Sequence, residues 1–260
     1  MKLPLVSIIM NCHNGDLYLK ESLKSVLKQK YKNWELIFWD NCSTDNSKQI
    51  IKKLKDKRIK YFFSGKFNTL YKSRNLAIKK AKGKYISFLD VDDKWSKDKL
   101  SLQVKKLEKC KGNFIYSNYF IENISTKKIY KRILSKLPEG KITQELLNDY
   151  FLGILTVLVK RDIFKKFQFN TKYNIIGDFD FFITLSQKYD FLCIQKPLST
   201  FKLHYDNYST KNLNEYYEEV KKWLQINNFK INKKFDLKNI KLILFKFKLK
   251  KNFKLLKDFF

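Results

Sequence analysis

Over the first 110 positions, apolar residues recur with two periods. Short runs at 5–10, 34–39, 59–63 and 85–89 have the length of buried strands. Between them, apolar positions return every three or four residues: Leu19, Leu23, Val26 and Leu27; Ile50, Ile51 and Leu54; Leu70, Ala77, Ile78 and Ala81; Leu100, Val104 and Leu107. That spacing predicts amphipathic helices, the first capped by Asp16 and the third stopped at Gly83. Strand–helix alternation this tight predicts an α/β fold with a mainly parallel sheet and helices on both faces.

The second half is less regular. Strands are expected over 114–120, 128–133, 155–160 and 198–204, and helices over 142–151 and from Phe179 to Tyr189. From Asn212 onward the chain reads as helices joined by polar turns. With three prolines in 260 residues, no linker announces itself. The expected division is a body over 1–210, with 1–95 as one half and 96–210 as the other, and a helical basic extension over 211–260.

Polar clusters follow three of the strands, at 11–14, 40–45 and 90–93. The last follows a run of almost wholly apolar residues and holds Asp90, Asp92 and Asp93. Three acids so close repel one another unless a cation sits between them, and hard oxygen ligands suit Mg²⁺ or Mn²⁺. Alone, the cluster reads equally as a solvated turn. Ligands of open α/β sheets bind beyond the carboxyl ends of strands, where three sequence-distant clusters would converge. That convergence favours a site.

Composition changes this picture little. The formal net charge is +30, from 55 Lys+Arg against 25 Asp+Glu, which invites a nucleic-acid reading. Only Arg58, Arg74, Arg132 and Arg161 are arginines, however, and Arg is the usual reader of bases. A general bias towards Lys and Asn explains the charge as well. A cationic surface still attracts anionic lipid headgroups or phosphorylated substrates. Cys12, Cys42, Cys110 and Cys193 form no Cys-x-x-Cys pair or zinc spacing and fit free thiols in a reducing cytoplasm. No signal peptide and no apolar run of ~20 residues is found, so a cytoplasmic protein is expected. From Phe229 onward, eleven Lys and two Asp interleave with Phe, Leu and Ile, including Phe253, Phe259 and Phe260. Such a tail suits peripheral contact with the anionic inner face of a membrane, or a terminal helix with its lysines in water.

Several stretches together resemble a family. Val6-Ser7-Ile8-Ile9-Met10 with Asn14-Gly15, Trp34-Glu35-Leu36-Ile37 ending in Asp40-Asn41-Cys42-Ser43-Thr44-Asp45, and Ser73-Arg74-Asn75 leading through Gly83 to Asp90-Val91-Asp92-Asp93 resemble the family 2 glycosyltransferases. The likeness is strong over 4–95, patchy to about 210 and absent from the tail. It implies a GT-A-like fold, a nucleotide-diphospho-sugar donor, a divalent metal (Mn²⁺ or Mg²⁺), inversion at the anomeric carbon, and a glycan or lipid-linked acceptor of bacterial surface polysaccharide. By the same resemblance Cys12, His13 and Asn14 pack on the nucleotide. Asp40 accepts a hydrogen bond from the base, Arg74 reaches base or phosphates, and Asp90 lies near the ribose. Asp92 is the first choice as metal ligand with Asp93 adjacent, His204 lies near metal or diphosphate, and Asp178 is the general base. Asn11-Cys12-His13 stands where the family often has Pro-Thr-Tyr, Asn41 where it often has a second Asp, and Gly177 where it often has Glu.

The chemistry agrees with those assignments. A leaving diphosphate needs charge neutralisation, and an attacking hydroxyl needs a base, best a partly desolvated carboxylate. Each assignment has a plainer counterpart. Asp178 and Asp45 equally suit helix caps, and Arg74 a surface ion pair. A nucleotidyltransferase is the enzymatic alternative, though no Gly-rich phosphate loop opens the chain. A basic nucleic-acid-binding protein is the non-enzymatic one.

Overall fold

A computed structural model describes residues 3–232 and 234–257. The first half follows the predicted order: β1 (Val6–Cys12), α1 (Asp16–Leu27), β2 (Trp34–Asp40), α2 (Ser47–Lys53), β3 (Ile59–Phe63), α3 (Leu70–Ile78) and β4 (Tyr85–Phe88). Every residue of β1 and β2 is buried, as strands covered on both faces must be. Successive side chains of β1 enter different cores. Ile9 packs with α3 residues Ala77 and Ile78 on one face. Ile8 and Met10 pack with Leu19, Leu23 and Val26 of α1 on the other.

The second half comprises β5 (Lys94–Trp95), α4 (Lys99–Cys110), β6 (Phe114–Asn123), β7 (Lys128–Lys131), α5 (Thr143–Asn148), a 3₁₀ turn at Ile154–Thr156, β8 (Leu158–Lys160), α6 (Ile163–Lys166), α7 (Gly177–Ser186), β9 (Phe191–Leu203), α8 (Tyr208–Lys211), α9 (Leu213–Asn232) and α10 (Lys238–Lys257). Among the described residues nine strands form one sheet, in the order β3-β2-β1-β4-β8-β6-β9-β5, with β7 beside β6. The β3-β2-β1-β4 block is parallel. β8 joins antiparallel to both β4 and β6, and β9 runs parallel to β6.

Several boundaries differ from the periodicity. α1 starts on Gly15 with no side-chain cap, and Asp45 instead accepts the Asp16 N–H at 2.8 Å. The same carboxylate accepts the Ser47 N–H at 2.9 Å at the start of α2, so Asp45 serves two helix starts. α3 ends at Ile78, before Gly83. The helix expected over 142–151 covers only Thr143–Asn148, because Asp149 turns extended and sends Phe151 and Leu152 into the core. β9 begins seven residues before its expected start. Its Gln195-Lys196-Pro197 stretch breaks the alternation and coincides with a register shift opposite Ser117 and Asn118. β5, a two-residue strand paired to Thr200 and Ser199, was too short to leave a pattern.

α9 packs on the body. Val220, Trp223 and Ile231, with Leu237 and Ile240 beyond, are buried in the same core as Phe181 and Phe182 of α7. Leu242, Ile243 and Phe245 on α10 are exposed. Asp258, Phe259 and Phe260 of the expected cationic tail lie outside the described residues. Among those residues no helix is long and apolar enough to cross a membrane.

Candidate active site

A cleft of about 620 Å³ opens at the carboxyl ends of β1, β2 and β4, within the ~300–1,000 Å³ typical of small-ligand sites. The three polar clusters do meet there. Asn11, Cys12 and His13 come from the end of β1, Asn41 from the end of β2, and Asp90, Asp92 and Asp93 from the end of β4. Arg74 of α3 and Asp178 of α7 complete the wall from outside the sheet.

Arg74 is buried and donates from Nη2 to both Asp90 oxygens, at 2.8 and 2.9 Å. Burial works against the guanidinium charge, but Asp90 more than offsets it and holds the pKa above its ordinary value. Asp90, a third exposed, is thus fixed with an edge open to the cleft. Asp92 lines the cleft and meets the buried His204, which is not among the lining residues, Oδ2 lying 3.1 Å from Nε2; Asn207 Nδ2 lies 3.4 Å from the same oxygen. His204 Nδ1 is buried without a partner. Asp93 is turned differently: it is buried and accepts the Lys202 N–H of β9 at 3.0 Å. Burial, reinforced by Asp92 and Asp90, pushes its carboxyl well above the usual range.

The residues expected to pack on a nucleotide divide. His13 is exposed and donates from Nδ1 to the Asn41 carbonyl at 2.9 Å, with the exposed Phe67 ring 4.8 Å away, edge on. Cys12 is buried against Ser47, and burial pushes its thiol up, so it shapes the wall and is no nucleophile. Asn14 has φ 53° and accepts the Thr44 N–H at 2.8 Å, holding the turns after β1 and β2 together. Neither Asn14 nor Asp40 is among the cleft-lining residues. Asp40 is fully buried, its oxygens taken by the Tyr61 hydroxyl at 2.6 Å and the Ser43 N–H at 2.8 Å. The residue after β2 that lines the cleft is its neighbour Asn41, whose side-chain amide is bound to the Asn68 backbone.

Asp178 sits half-buried in the first turn of α7 and lines the cleft. Burial pushes its carboxyl above its ordinary 3.8, and Arg74 pulls it part of the way back. Its Oδ1 accepts the Phe179 N–H at 2.9 Å, so the cap-like bond and the cleft-facing position coexist. Behind it, Glu219 of α9 accepts the N–H groups of Asn174, Ile175 and Ile176, and the Trp223 indole donates to Asp180 at 2.9 Å. Asp180 is thereby spent on structure.

Two side chains at the site carried no role in the sequence pattern. Tyr71 reaches Asp178 at 3.1 Å, and Asn207 accepts the His204 N–H at 2.7 Å. Asn207 stands three residues after His204, beyond the end of β9 and just before α8. Tyr71 is placed one helical turn before Arg74, a spacing that puts both on one face of α3, but its partner is 107 residues away.

Residues 7–187 match the family model described as Glycosyl transferase family 2. The chain is 36% identical over 165 residues to the UDP-Glc:alpha-D-GlcNAc-diphosphoundecaprenol beta-1,3-glucosyltransferase WfgD of Escherichia coli, over 64% of each chain. It is 33% identical over 161 residues to the putative teichuronic acid biosynthesis glycosyltransferase TuaG of Bacillus subtilis, over 61% of this chain and 63% of that one. The chain therefore spans just under two thirds of the length of these relatives. An uncharacterized glycosyltransferase of Haemophilus influenzae is 37% identical over 70% of this chain and 72% of its own. In structure, S. aureus TarS 1-349 in complex with UDP-GlcNAc superposes with a TM-score of 0.70 at 18% identity, covering 93% of this chain and 71% of that one. At that identity the likeness speaks for a GT-A-like fold. With the family match spanning most of the sheet and all three polar clusters, the chain belongs to glycosyl transferase family 2.

Proposed function

We propose that the protein transfers a sugar, with inversion, from a nucleotide-diphospho-sugar to a hydroxyl of a glycan or lipid-linked acceptor in bacterial surface-polysaccharide synthesis. The observation that carries this reading is the meeting of the Arg74–Asp90 pair, Asp92 with its partner His204 beside it, and Asp178 at one cleft, which Arg74, Asp90, Asp92 and Asp178 line.

In this reading residues 1–95 hold the donor. The base lies along His13 and Phe67, beside Asn41 and Cys12, and the ribose meets Asp90. Asn14 and Asp40 act indirectly, by fixing the turns that carry His13 and Asn41. Arg74 supplies positive charge near the donor and sets the Asp90 carboxylate.

A divalent cation, Mn²⁺ or Mg²⁺, suits the donor set. Asp92 Oδ2 and His204 Nε2 are 3.1 Å apart, a separation that two ligands of one cation can keep. Among the described residues no three His, Cys, Asp or Glu side chains are grouped to hold a metal unaided. Two protein ligands would leave room for substrate oxygens and water, as is common for Mg²⁺. Asp92 and His204 would hold it, with Asp93 buttressing the loop. When bound, it neutralises charge on the leaving diphosphate.

Asp178 takes the proton from the acceptor hydroxyl. The hydroxyl oxygen forms the new bond to the anomeric carbon as the bond to the diphosphate breaks, and attack from the face opposite the leaving group inverts the centre. Burial raises the basicity of Asp178 towards what the task needs. Residues 96–210 form the acceptor side, and 211–260 is a basic extension that touches the anionic membrane surface.

Melting the protein with UDP, GDP and their sugar derivatives, with and without Mn²⁺, tests the reading. A donor that binds raises Tm by mass action, and the rise should need Mn²⁺ in wild type and vanish in Asp92→Asn. The absence of any nucleotide-sugar shift, or one indifferent to chelation and to Asp92→Asn, sinks it.

A further inference from the structure

Asp178 has a partner that its proposed role as base does not by itself require, and the task assigned to that partner rests on the base role. Tyr71 is almost wholly buried on α3, and its hydroxyl lies 3.1 Å from Asp178 Oδ1 and 2.7 Å from the Ile175 carbonyl. Arg74, one turn on, stacks its guanidinium 5.3 Å over the Tyr71 ring while it grips Asp90. Asp90, Arg74, Tyr71 and Asp178 therefore form one connected row along the cleft wall.

The space for Tyr71 is made by an absence. A Cβ built on Gly177 would stand 2.4 Å from Tyr71 Cδ2, 2.5 Å from Cε2 and 2.7 Å from Cγ. No side chain fits there with the ring in place. Gly177 does not have a left-handed φ, so conformational freedom does not explain the glycine. Room for the ring does.

We propose that Tyr71 is a positioning residue for Asp178, pinning Oδ1 so that Oδ2 is presented to the acceptor hydroxyl, in a space that Gly177 keeps open. Oδ1 already takes two donors, the Tyr71 hydroxyl and the Phe179 N–H. The single phenolic hydrogen has two acceptors to choose between. While Asp178 is ionised, a charge-assisted bond to Oδ1 is favoured. Once Asp178 has taken a proton at Oδ2, Oδ1 becomes a poorer acceptor and the hydrogen can turn to the Ile175 carbonyl. The phenol stays satisfied in both states, and the carboxyl need not rotate between them.

The charged and titratable groups facing Asp178 are Arg74 and Tyr71 of α3, Tyr150 after α5, and Tyr216 of α9. Of these, Arg74 is committed to Asp90, and the Tyr150 hydroxyl is buried without a well-formed hydrogen bond. Tyr71 is thus the one phenol among them that bonds to the carboxylate with good geometry.

The plainer reading is that Tyr71 only ties α3 to the Ile175 backbone. Tyr71→Phe separates the two, since it keeps the ring and removes the hydroxyl. Asp178 is followed by carboxyl ¹³C NMR in aspartate-labelled full-length protein, its signal identified by its loss in Asp178→Asn. Turnover is followed as UDP release from UDP-glucose or UDP-N-acetylglucosamine. Tyr71→Phe should move the Asp178 titration upward and lower kcat about tenfold, the scale of one hydrogen bond to a charged group, while donor affinity stays the same. Gly177→Ala should reproduce that loss by displacing the ring. An unmoved titration and unchanged kcat in Tyr71→Phe, with Asp178→Asn inactive, overturns the proposal and leaves the base role standing. Unimpaired turnover in Asp178→Asn overturns the base role, and with it the proposed presentation of Oδ2.

Discussion

Asp90, Asp92 and Asp93 stand within four residues of one another after β4, whereas Asp178 stands apart among phenols at the start of α7. Both regions line one cleft. The acid loop manages crowded negative charge by giving each carboxylate a separate partner: Arg74 for Asp90, His204 for Asp92, and the Lys202 N–H for Asp93. The α7 wall does the reverse, isolating one carboxylate in a place that disfavours its charge. The first arrangement suits holding a cation and a diphosphate, and the second suits moving one proton. Their supports differ too. β9 braces the acid loop through a backbone N–H, while α9 braces the α7 wall through Glu219 and Trp223.

The contrast can be broken experimentally. Asp178→Asn should lower transfer by about 10²–10⁴-fold, the usual worth of a general base, with donor affinity by calorimetry unchanged. A loss of donor binding instead would move Asp178 to the donor side. Arg74→Met should cost about 2–3 kcal/mol in a urea melt, below the ~3–5 of a fully buried pair because Asp90 is open to water. In Asp92→Asn, the ~2.7 kcal/mol of stabilisation expected from donor at a hundred times its Kd in Mn²⁺ should disappear, with little change to the unliganded melt. Trp223→Phe should cost about 1 kcal/mol, since Asp180 loses a hydrogen-bond donor. A larger loss, with α7 loosened in hydrogen exchange, would show α9 to be integral to the wall.

The smallest effect is a pH slope. The folded-state pKa of Asp178 lies above 3.8, so its share of stability is present below the unfolded value and is lost as pH rises through the raised one. Stability measured from acid to neutral pH should therefore tilt in favour of Asp178→Asn as pH rises. A constant difference between the two proteins would mean that the carboxyl titrates normally.

Much of the first half was legible in the chain itself. The strands at 59–63 and 85–89 and the helix between them follow from period and length, because each is long enough, and buried enough on one face or both, to show its own repeat. The acids of 90–93 drew attention because a strand that ends in three carboxylates is costly. The second half was harder to read. β9 hides its start behind Pro197, and β5 is two residues long. Both take their form from β6, β9 and the loops around them, more than from local propensity.

At the site, sequence determined which chemistry was on offer: acids, one late histidine, one arginine on a helix, and two carboxylates, Asp178 and Asp180, at a helix start. The roles that depend on partners were decided by tertiary structure. Asp40 is sealed beneath Tyr61 while Asn41, past the end of β2, lines the cleft and is tied to the Asn68 backbone. Asp92 meets a histidine 112 residues away, and Asp178 a tyrosine 107 residues away. No local pattern records such pairs, since they form only when loops from different strands and helices are brought to the same end of the sheet. Gly177 is the clearest case: in the sequence it marks a missing side chain, and in the fold it is the space that a tyrosine occupies.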